Sequence, residues 1–193
     1  SNEITADLIV KDAQLSGEPF VLERGEVRLH DSYLDMDIAF RSLASSESIK
    51  LRGKVPLDPS SLMDIRIESH GDALNFLDGL SDGDISWKEG KADMRLLIRG
   101  TINKPEANGF FVLRNGEFTI LEKDVTNLDT SILFDFNRIE IQSLEANIGR
   151  EGRFISSGAL PFFDFDQQEQ VPLSIKMKNV PFKIPQLDVE LAS

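Results

Sequence analysis

Two histidines, His30 and His70, are the only side chains that could serve as an imidazole base or an imidazole metal ligand. His70 lies in the turn-like run Ser69-His70-Gly71-Asp72, with no serine motif nearby. A Ser-His-Asp triad needs a serine that the histidine can deprotonate, and the Gly-x-Ser-x-Gly elbow is absent, as is a phosphate-binding glycine loop. The histidines therefore do not predict a catalytic site.

One acidic segment partly matches a calcium-binding loop. With Asp78 at position 1, Asp82, Gly83 and Glu89 occupy positions 5, 6 and 12. Position 3 is Leu80, which cannot ligate a cation, and the residues after Glu89 have the pattern of a strand rather than a helix. A solvated turn is the better interpretation.

Other acids occur in pairs one residue apart, as in Asp35/Asp37 and Asp164/Asp166. They alternate with apolar residues, so the solvent-exposed face of a strand explains them more simply than glycosidase carboxylates do. Because the chain has no cysteine, disulfides, thiolate zinc sites and thiol nucleophiles are excluded. We expect neither an enzyme, nor a metal site, nor a cofactor.

The elements that carry these residues are strands, because apolar and polar residues alternate along most of the chain. The clearest runs are 33–40, 63–68, 92–98, 131–136, 138–142, 173–178 and 187–191. Turn signals separate them at Arg24-Gly25, Asp82-Gly83, Glu89-Gly90, Asn115-Gly116 and 149–152. We predict an all-β fold of roughly 12 to 16 strands, mostly up-and-down.

The segment from Asp72 to Leu80 departs from this alternation. Its apolar residues recur at helical spacing, and Asp72 is a suitable N-cap. The pattern predicts one short helix that could cap one end of the sheet.

Charge excludes some partners. The 21 Lys+Arg against 33 Asp+Glu give a net charge of −12, which repels nucleic acid and opposes flat docking on anionic headgroups. No apolar run is long enough to cross a bilayer and no signal peptide is visible, while Ser1-Asn2 resembles the remnant of a removed tag. A chain of this length is one domain or a piece of a repetitive one, and should bury roughly 70% of its unfolded surface.

A short internal repeat indicates a repetitive sheet. The run 49–58 resembles 154–162, and aligning Gly53 with Gly158 also aligns Pro56 with Pro161 at an offset of 105 residues. Period-2 strands that repeat in this way are typical of a sheet extended strand by strand. We expect 1–193 to be a single fragment of a larger protein, with approximate repeat units 26–99 and 100–193.

The apolar positions segregate to one side of the strands, where a sheet must bury them. The candidate site residues are Ile65, Ile67, Met94, Leu96, Ile98, Phe118, Ile120, Ile132, Phe134, Phe136, Ile139, Ile141, Leu173, Ile175 and Met177. A second sheet, closure into a barrel, or curling into a groove could each cover such a face. The set of thirteen Phe with one Tyr and one Trp favours an apolar groove, although alternation alone fits a sandwich equally well.

From Gly100 onward the sequence resembles a known family. Gly100, Pro105 and Gly109 precede Asn115-Gly116 in the order of that family's strand motif, and 125–146 follows. With 149–152 and 157–161, these segments are similar to the photosynthetic-bacterial and plastid branch of the TamB family. This family is AsmA-like, carries the DUF490 domain, and is the inner-membrane component of the translocation and assembly module.

The resemblance implies a β-taco, a long U-shaped antiparallel sheet with an apolar concave face. It implies a protein anchored in the inner membrane that crosses the periplasm, or the plastid intermembrane space, and works with an Omp85-type outer-membrane protein. The fifteen candidate residues would then form a groove for phospholipid or other acyl chains in outer-membrane biogenesis. An alternative is a docking or chaperone module for outer-membrane β-barrel proteins. A sugar-binding sandwich is disfavoured, because one Trp and one Tyr offer few stacking platforms.

Overall fold

The chain folds into antiparallel strands. The computed structural model describes residues 4–7, 14–15, 18–75, 85–120, 122–163 and 173–179. The strands are β1 (Ile4–Asp7), β2 (Gln14–Leu15), β3 (Glu18–His30), β4 (Tyr33–Ser42), β5 (Ile49–Pro56), β6 (Met63–Ser69), β7 (Ile85–Thr101), β8 (Lys104–Ile120), β9 (Lys123–Phe136), β10 (Arg138–Ile148), β11 (Gly152–Pro161) and β12 (Ser174–Lys178). The predicted all-β class is confirmed. The described residues form twelve strands, at the lower end of the predicted number, and the strand predicted at 187–191 lies outside the described residues.

These strands form one 12-stranded sheet in the order β1-β3-β4-β5-β6-β7-β8-β9-β10-β11-β12, with β2 paired to β3. From β3 onward the order is sequential, as predicted for an up-and-down sheet. β1 and β12 are not paired with each other, so the sheet is open rather than closed into a barrel. Extensive packing between described strands occurs only between neighbours in the sheet.

The register places apolar and charged side chains on opposite faces. On one face Met36 and Ile65 flank Gly53, and Ile65 in turn pairs with Ile98. On the other face Asp37 pairs with Arg52. We call these two sides the apolar face and the charged face.

Strand ends form two rows of turns, one along each side of the sheet. The first rim comprises the turns and strand ends at 31–32, 57–62, 102–103, 137 and 161–163. The second rim comprises 43–48, 70–75, 122 and 149–151. Every strand from β3 to β11 runs from one rim to the other.

Three of the predicted turns are instead β-bulges inside long strands. The register shifts beside Arg24 in β3, around Glu89 in β7 and between Leu113 and Gly116 in β8. Such bulges bend a strand without ending it. Strands of 13 to 17 residues result where the sequence pattern predicted shorter ones. The predicted turn at 149–152 is present at 149–151, and Asp82-Gly83 lies outside the described residues.

A line of glycines crosses the apolar face diagonally. Gly53 in β5, Gly109 in β8 and Gly158 in β11 have φ of +151°, +143° and +135°, which other residues rarely adopt. Followed from partner to partner across β7 and β6, Gly109 is aligned with Leu51 of β5. Followed in the same way across β10 and β9, Gly158 is aligned with Phe111 of β8. From β5 to β11, every third strand therefore carries one glycine of this line, and each is displaced by two residues toward the second rim relative to the one before it. Glycines and bulges are the usual means of curving a sheet.

The helix predicted over 72–80 is not formed in its described part. Ala73–Asn75 makes a single 3-10 turn, and 76–84 lies outside the described residues. The Asp72 carboxylate binds the backbone N–H groups of Ser46 and Glu47 in another turn, instead of capping a helix of its own. No helix in the described part of the chain is long and apolar enough to cross a membrane.

Candidate functional site: the apolar face

The strand register brings the predicted site residues of the central strands together. Ile65 pairs with Ile98 and Ile67 with Leu96 across β6 and β7. Ile132 pairs with Ile141 and Phe134 with Ile139 across β9 and β10. Met94 pairs with Phe111, which continues the row to Ile132. The apolar face is thus contiguous across at least five strands.

The remaining predicted residues lie toward the ends of this face. Phe118 pairs with Trp87 and Val125, and Ile120 pairs with Ile85. On β12, Ile175 and Met177 pair with Ser156 and Phe154. Leu173 directly precedes β12, and Phe136 ends β9 at the first rim with φ of +56°.

The predicted set omitted the apolar residues of the first strands and several residues that pair with its members on neighbouring strands. They share the same face by register and are Val27, Leu29, Leu34, Met36, Ile38, Phe40, Leu51, Trp87, Phe111, Leu113, Phe154 and Leu160. The alternation of 33–40 was the signal that could have extended the set to β4.

None of the fifteen predicted side chains is fully buried. Fourteen are half-buried, and Phe136 is 55% exposed. Among the described residues, Ser69 is the largest side chain that is less than 2% exposed. A sandwich would bury large apolar side chains between its layers, so the described residues form a partly open apolar surface instead.

Aromatic rings line this surface at three places. Trp87 stacks on Phe118 with ring centroids 5.9 Å apart. Phe20 meets Phe40, and Phe134 meets Phe162, edge to face at 6.4 Å and 6.2 Å. Such ring pairs contribute about 0.5–1.5 kcal/mol beyond the area that they bury.

The turn at 70–75 covers part of the apolar face near the second rim. Leu74 is buried with Ala92 and Leu113, and Trp87 and Phe111 pack against them. A second buried cluster contains Val125, Ala146 and Ile148. The capping role predicted for this segment is therefore performed by a turn.

The charged face is held by ion pairs between neighbouring strands. Asp37 accepts hydrogen bonds from Arg24 at 2.9 Å and Arg52 at 3.0 Å. Burial alone raises the pKa of Asp37, but the bonds from the two guanidinium groups outweigh it and lower the pKa. Arg99 pairs with Asp64 in the same way at 3.0 Å. The arginines of these pairs are about half exposed, so the ion pairs of this face are in contact with solvent.

The two histidines form separate pairs with aspartates. His30 Nδ1 lies 3.1 Å from Asp35 and His70 Nδ1 lies 3.0 Å from Asp93. Within the described ranges, neither imidazole is hydrogen-bonded to a serine or threonine hydroxyl. The same part of the chain holds no cluster of three or more potential metal-ligating side chains, although Asp78, Asp82 and Gly83 lie outside it.

Two chloroplastic proteins are partly similar to this chain. Protein TIC236, chloroplastic, of Arabidopsis thaliana is 32% identical over 78 residues, 39% of this chain. Protein SUBSTANDARD STARCH GRAIN 4, chloroplastic, of Oryza sativa subsp. japonica is 26% identical over 93 residues, 47% of this chain. The chain spans about 4% of the length of each relative. No family model and no solved structure matches.

Proposed function

We propose that this chain is a segment of a TamB-like lipid conduit whose apolar face shields phospholipid acyl chains between two envelope membranes. The observation that carries the proposal is the contiguous apolar face of an open sheet, left half-buried by the described residues. Both relatives are chloroplastic, which supports a place in the plastid. The intermembrane space of the envelope is the compartment that a conduit between two membranes requires. The role is non-enzymatic.

Acyl chains suit this surface because their binding needs no specific polar contact. Each CH₂ removed from water contributes about 0.8 kcal/mol, so a chain of many CH₂ groups gains appreciably on a broad face of Ile, Leu, Met and Phe. A face of uniform chemistry has no single deep site, which allows a bound chain to slide. The headgroup stays in solvent and does not meet the negative charge of the protein.

In the proposed function, this chain is one part of a much longer protein. An anchor in the inner membrane would hold one end, and an Omp85-type outer-membrane protein would receive the other, in support of outer-membrane biogenesis. The partners of this segment are then phospholipid and the adjoining parts of the conduit.

The direct experiment is mass spectrometry of organic extracts of the purified chain. We expect phospholipid or fatty acid in a stoichiometric amount. A lipid-free extract from a monodisperse monomer, together with no uptake of a fluorescent fatty acid, would contradict the proposal.

Two adjacent positions provide a matched pair of variants. Ile132 lies on the apolar face and Leu133 on the charged face of the same strand. Ile132→Lys places an ammonium group among the bound chains, and we expect fatty-acid binding to fall at least tenfold. Leu133→Lys places the same group opposite Glu140 in solvent, and binding should be unchanged. Equal binding by both folded variants would exclude the apolar face as the site.

A second candidate function is a docking or chaperone module for outer-membrane β-barrel proteins. Among the described strands, β1 and β12 each pair on one side only, which favours this function because an unpaired strand edge can accept another strand. Binding of unfolded strand peptides that is insensitive to Ile132→Lys would support this function over lipid shielding.

A further inference from the structure

The charged face carries a concentration of cations on its central strands. On this face β5, β6 and β7 contribute nine positions in three rows of paired residues, which we call the basic patch. Two of the nine are the acids Asp64 and Glu68, and six are cations: Lys50, Arg52, Lys54, Arg66, Arg95 and Arg99. The balance stays positive when Asp35 and Asp37 of the adjoining β4 are included. The whole chain, by contrast, has a net charge of −12.

Acids neutralise most of these cations, but not the central one. Ion pairs join Arg52 to Asp37, Lys54 to Asp35, Arg95 to Glu68 and Arg99 to Asp64. Arg66, in the middle of the basic patch, is exposed and forms no ion pair with any other described residue. Its guanidinium group is therefore available to a ligand.

The position of Arg66 is unfavourable for the sheet itself. Arg66 lies directly opposite Arg52 on the neighbouring strand, and like charges at opposed positions destabilise a sheet. Asp37 offsets the charge of Arg52 only in part, because it also accepts a hydrogen bond from Arg24. Folding thus gives no reason for a cation at Arg66, whereas binding of an anion does.

Apolar side chains adjoin the basic patch on the same face. Leu97 pairs with Arg66, and Phe110 pairs with Arg95 on one side and Leu133 on the other. Leu97 and Phe110 are diagonal neighbours, a separation that long side chains can bridge. Both are half-buried, and Leu133 is 36% exposed. We call these three residues the outer apolar cluster, and apolar groups rimmed by charges are typical of interaction surfaces.

The chemistry of the two groups together selects the class of ligand. A guanidinium group binds carboxylates and phosphates with the same geometry, so Arg66 alone does not distinguish them. Nucleic acids, anionic membranes and a second copy of the chain are large, and the net charge of −12 repels them. A short segment meets mainly the local charge, because charges more than about 8 Å away are largely screened at physiological ionic strength. Apolar side chains beside acids are a property of protein segments.

The dimensions of the surface fit a short peptide. Arg52 lies on β5 and Leu133 on β9, four strand spacings apart, or about 19 Å. An extended chain covers this distance with about six residues. Cations occupy one end of the span and apolar residues the other, so the matching segment has acids at one end and apolar residues at the other.

We propose that the basic patch and the outer apolar cluster bind a short protein segment of this acidic–apolar composition. A carboxylate between Arg52 and Arg66 removes their repulsion, and apolar side chains of the segment cover Leu97, Phe110 and Leu133. The site lies on the side of the sheet opposite to the apolar face. It therefore does not rest on the proposed conduit function, and it leaves the surface for acyl chains free.

The test is fluorescence anisotropy of a labelled synthetic peptide with glutamates in one half and leucines in the other. We expect the peptide to bind the chain, and added salt to weaken the binding because the carboxylates contribute to it. Two analogues, one with lysine for glutamate and one with serine for leucine, should each bind at least tenfold more weakly.

Matched variants locate the site on the charged face. Arg66→Gln should weaken peptide binding about fivefold without lowering the midpoint of thermal unfolding, since it removes a repulsion. Arg150→Gln is its control: Arg150 is an exposed cation of the second rim that also forms no ion pair with another described residue. This control removes the same charge and should leave binding unchanged.

A second pair of variants tests the apolar part of the site. Leu133→Thr should weaken peptide binding about fivefold. Leu43→Thr, at a position 60% exposed on the second rim, should not. Ile132→Lys should retain peptide binding although it disrupts the apolar face, so a failure of the conduit function is distinguishable from a failure of this proposal.

Four outcomes would overturn the proposal. The first is absence of peptide binding by the wild-type chain up to millimolar concentration. The second is an equal loss in a variant and its matched control, and the third is equal binding of the lysine analogue. The fourth is binding of anionic vesicles or single-stranded DNA, or self-association, that Arg66→Gln abolishes while the peptide does not bind.

Discussion

Asp72 joins two turns of the second rim. Its carboxylate accepts hydrogen bonds from the Ser46 and Glu47 N–H groups at 2.9 to 3.1 Å and from the Ser46 hydroxyl at 3.1 Å. Burial raises the pKa of Asp72, but these bonds outweigh it, so the pKa is lowered. The ionised group therefore stabilises the turn that places Leu74 over the apolar face.

Asp72→Ala should lower the free energy of unfolding by about 1–3 kcal/mol at neutral pH, because the variant loses the hydrogen bonds from the Ser46 and Glu47 N–H groups to an ionised acceptor. The folded-state pKa lies below the unfolded value of about 3.9, so this stabilisation is complete above that value and is lost as the pH falls through the folded pKa. Urea unfolding at neutral pH and near pH 3 measures both effects. The difference between wild type and variant should shrink in acid.

Asp135→Ala is the control for that measurement. Asp135 is an exposed acid on the charged face, and its replacement should change stability by no more than about 0.5 kcal/mol. An equal loss in both variants, or a difference for Asp72→Ala that does not depend on pH, would show that its carboxylate does not stabilise the turns.

At the scale of single strands, the line of glycines sets a steric requirement. A Cβ atom on Gly109 would collide with the Arg95 carbonyl oxygen of the neighbouring strand, and φ there is +143°. Gly109→Ala should therefore cost about 2 kcal/mol or more. Gly116→Ala in the same strand meets mainly the Leu113 side chain at 3.0 Å and has no positive φ, so its cost should be smaller. Thermal unfolding of the two variants tests this order, and equal costs would contradict it.

Alternation predicted the strands and their apolar side, because one wet face and one apolar face require a period of two residues. It could not separate turns from bulges. Asn115 has φ of +49°, and both a two-residue hairpin turn and a bulge use such a left-handed residue followed by glycine. Only the pairing of β8 with both β7 and β9 shows that the strand continues through Asn115-Gly116.

The site was predictable to a similar extent. The side chains of the apolar face follow from alternation, whereas the rim to which a turn residue belongs does not. Which rim a turn joins depends on the number of strands before it, and each bulge mistaken for a turn reverses the assignment. Leu62 and Leu43 therefore look equivalent in the sequence, although they lie on opposite rims.

At the scale of the whole molecule, each described strand packs mainly on its sheet neighbours. Stability in such an architecture is the sum of local terms and contacts between neighbours, so damage should remain local. Gly53→Ala, whose Cβ would collide with the Asp64 carbonyl oxygen, should accelerate amide exchange in β4, β5 and β6. Exchange in β9 to β11 should stay close to that of the wild type.

Hydrogen–deuterium exchange resolved by peptide measures this pattern. Faster exchange across all strands would show that the sheet unfolds as one cooperative unit, and would contradict the nearest-neighbour account.

The sequential, open order of the sheet also limits how its length can change during evolution. Insertion of one strand would reverse the direction of every later strand and move each later turn to the opposite rim. Insertion or deletion of a whole hairpin preserves both rims and both faces, and alters the span by about 10 Å. The strands that contain Gly53 and Gly158 are β5 and β11, which are six strands apart in the order, and six is a whole number of hairpins. Related proteins built on such a sheet can therefore differ in the length of the sheet, measured across its strands, while they keep the same cross-section.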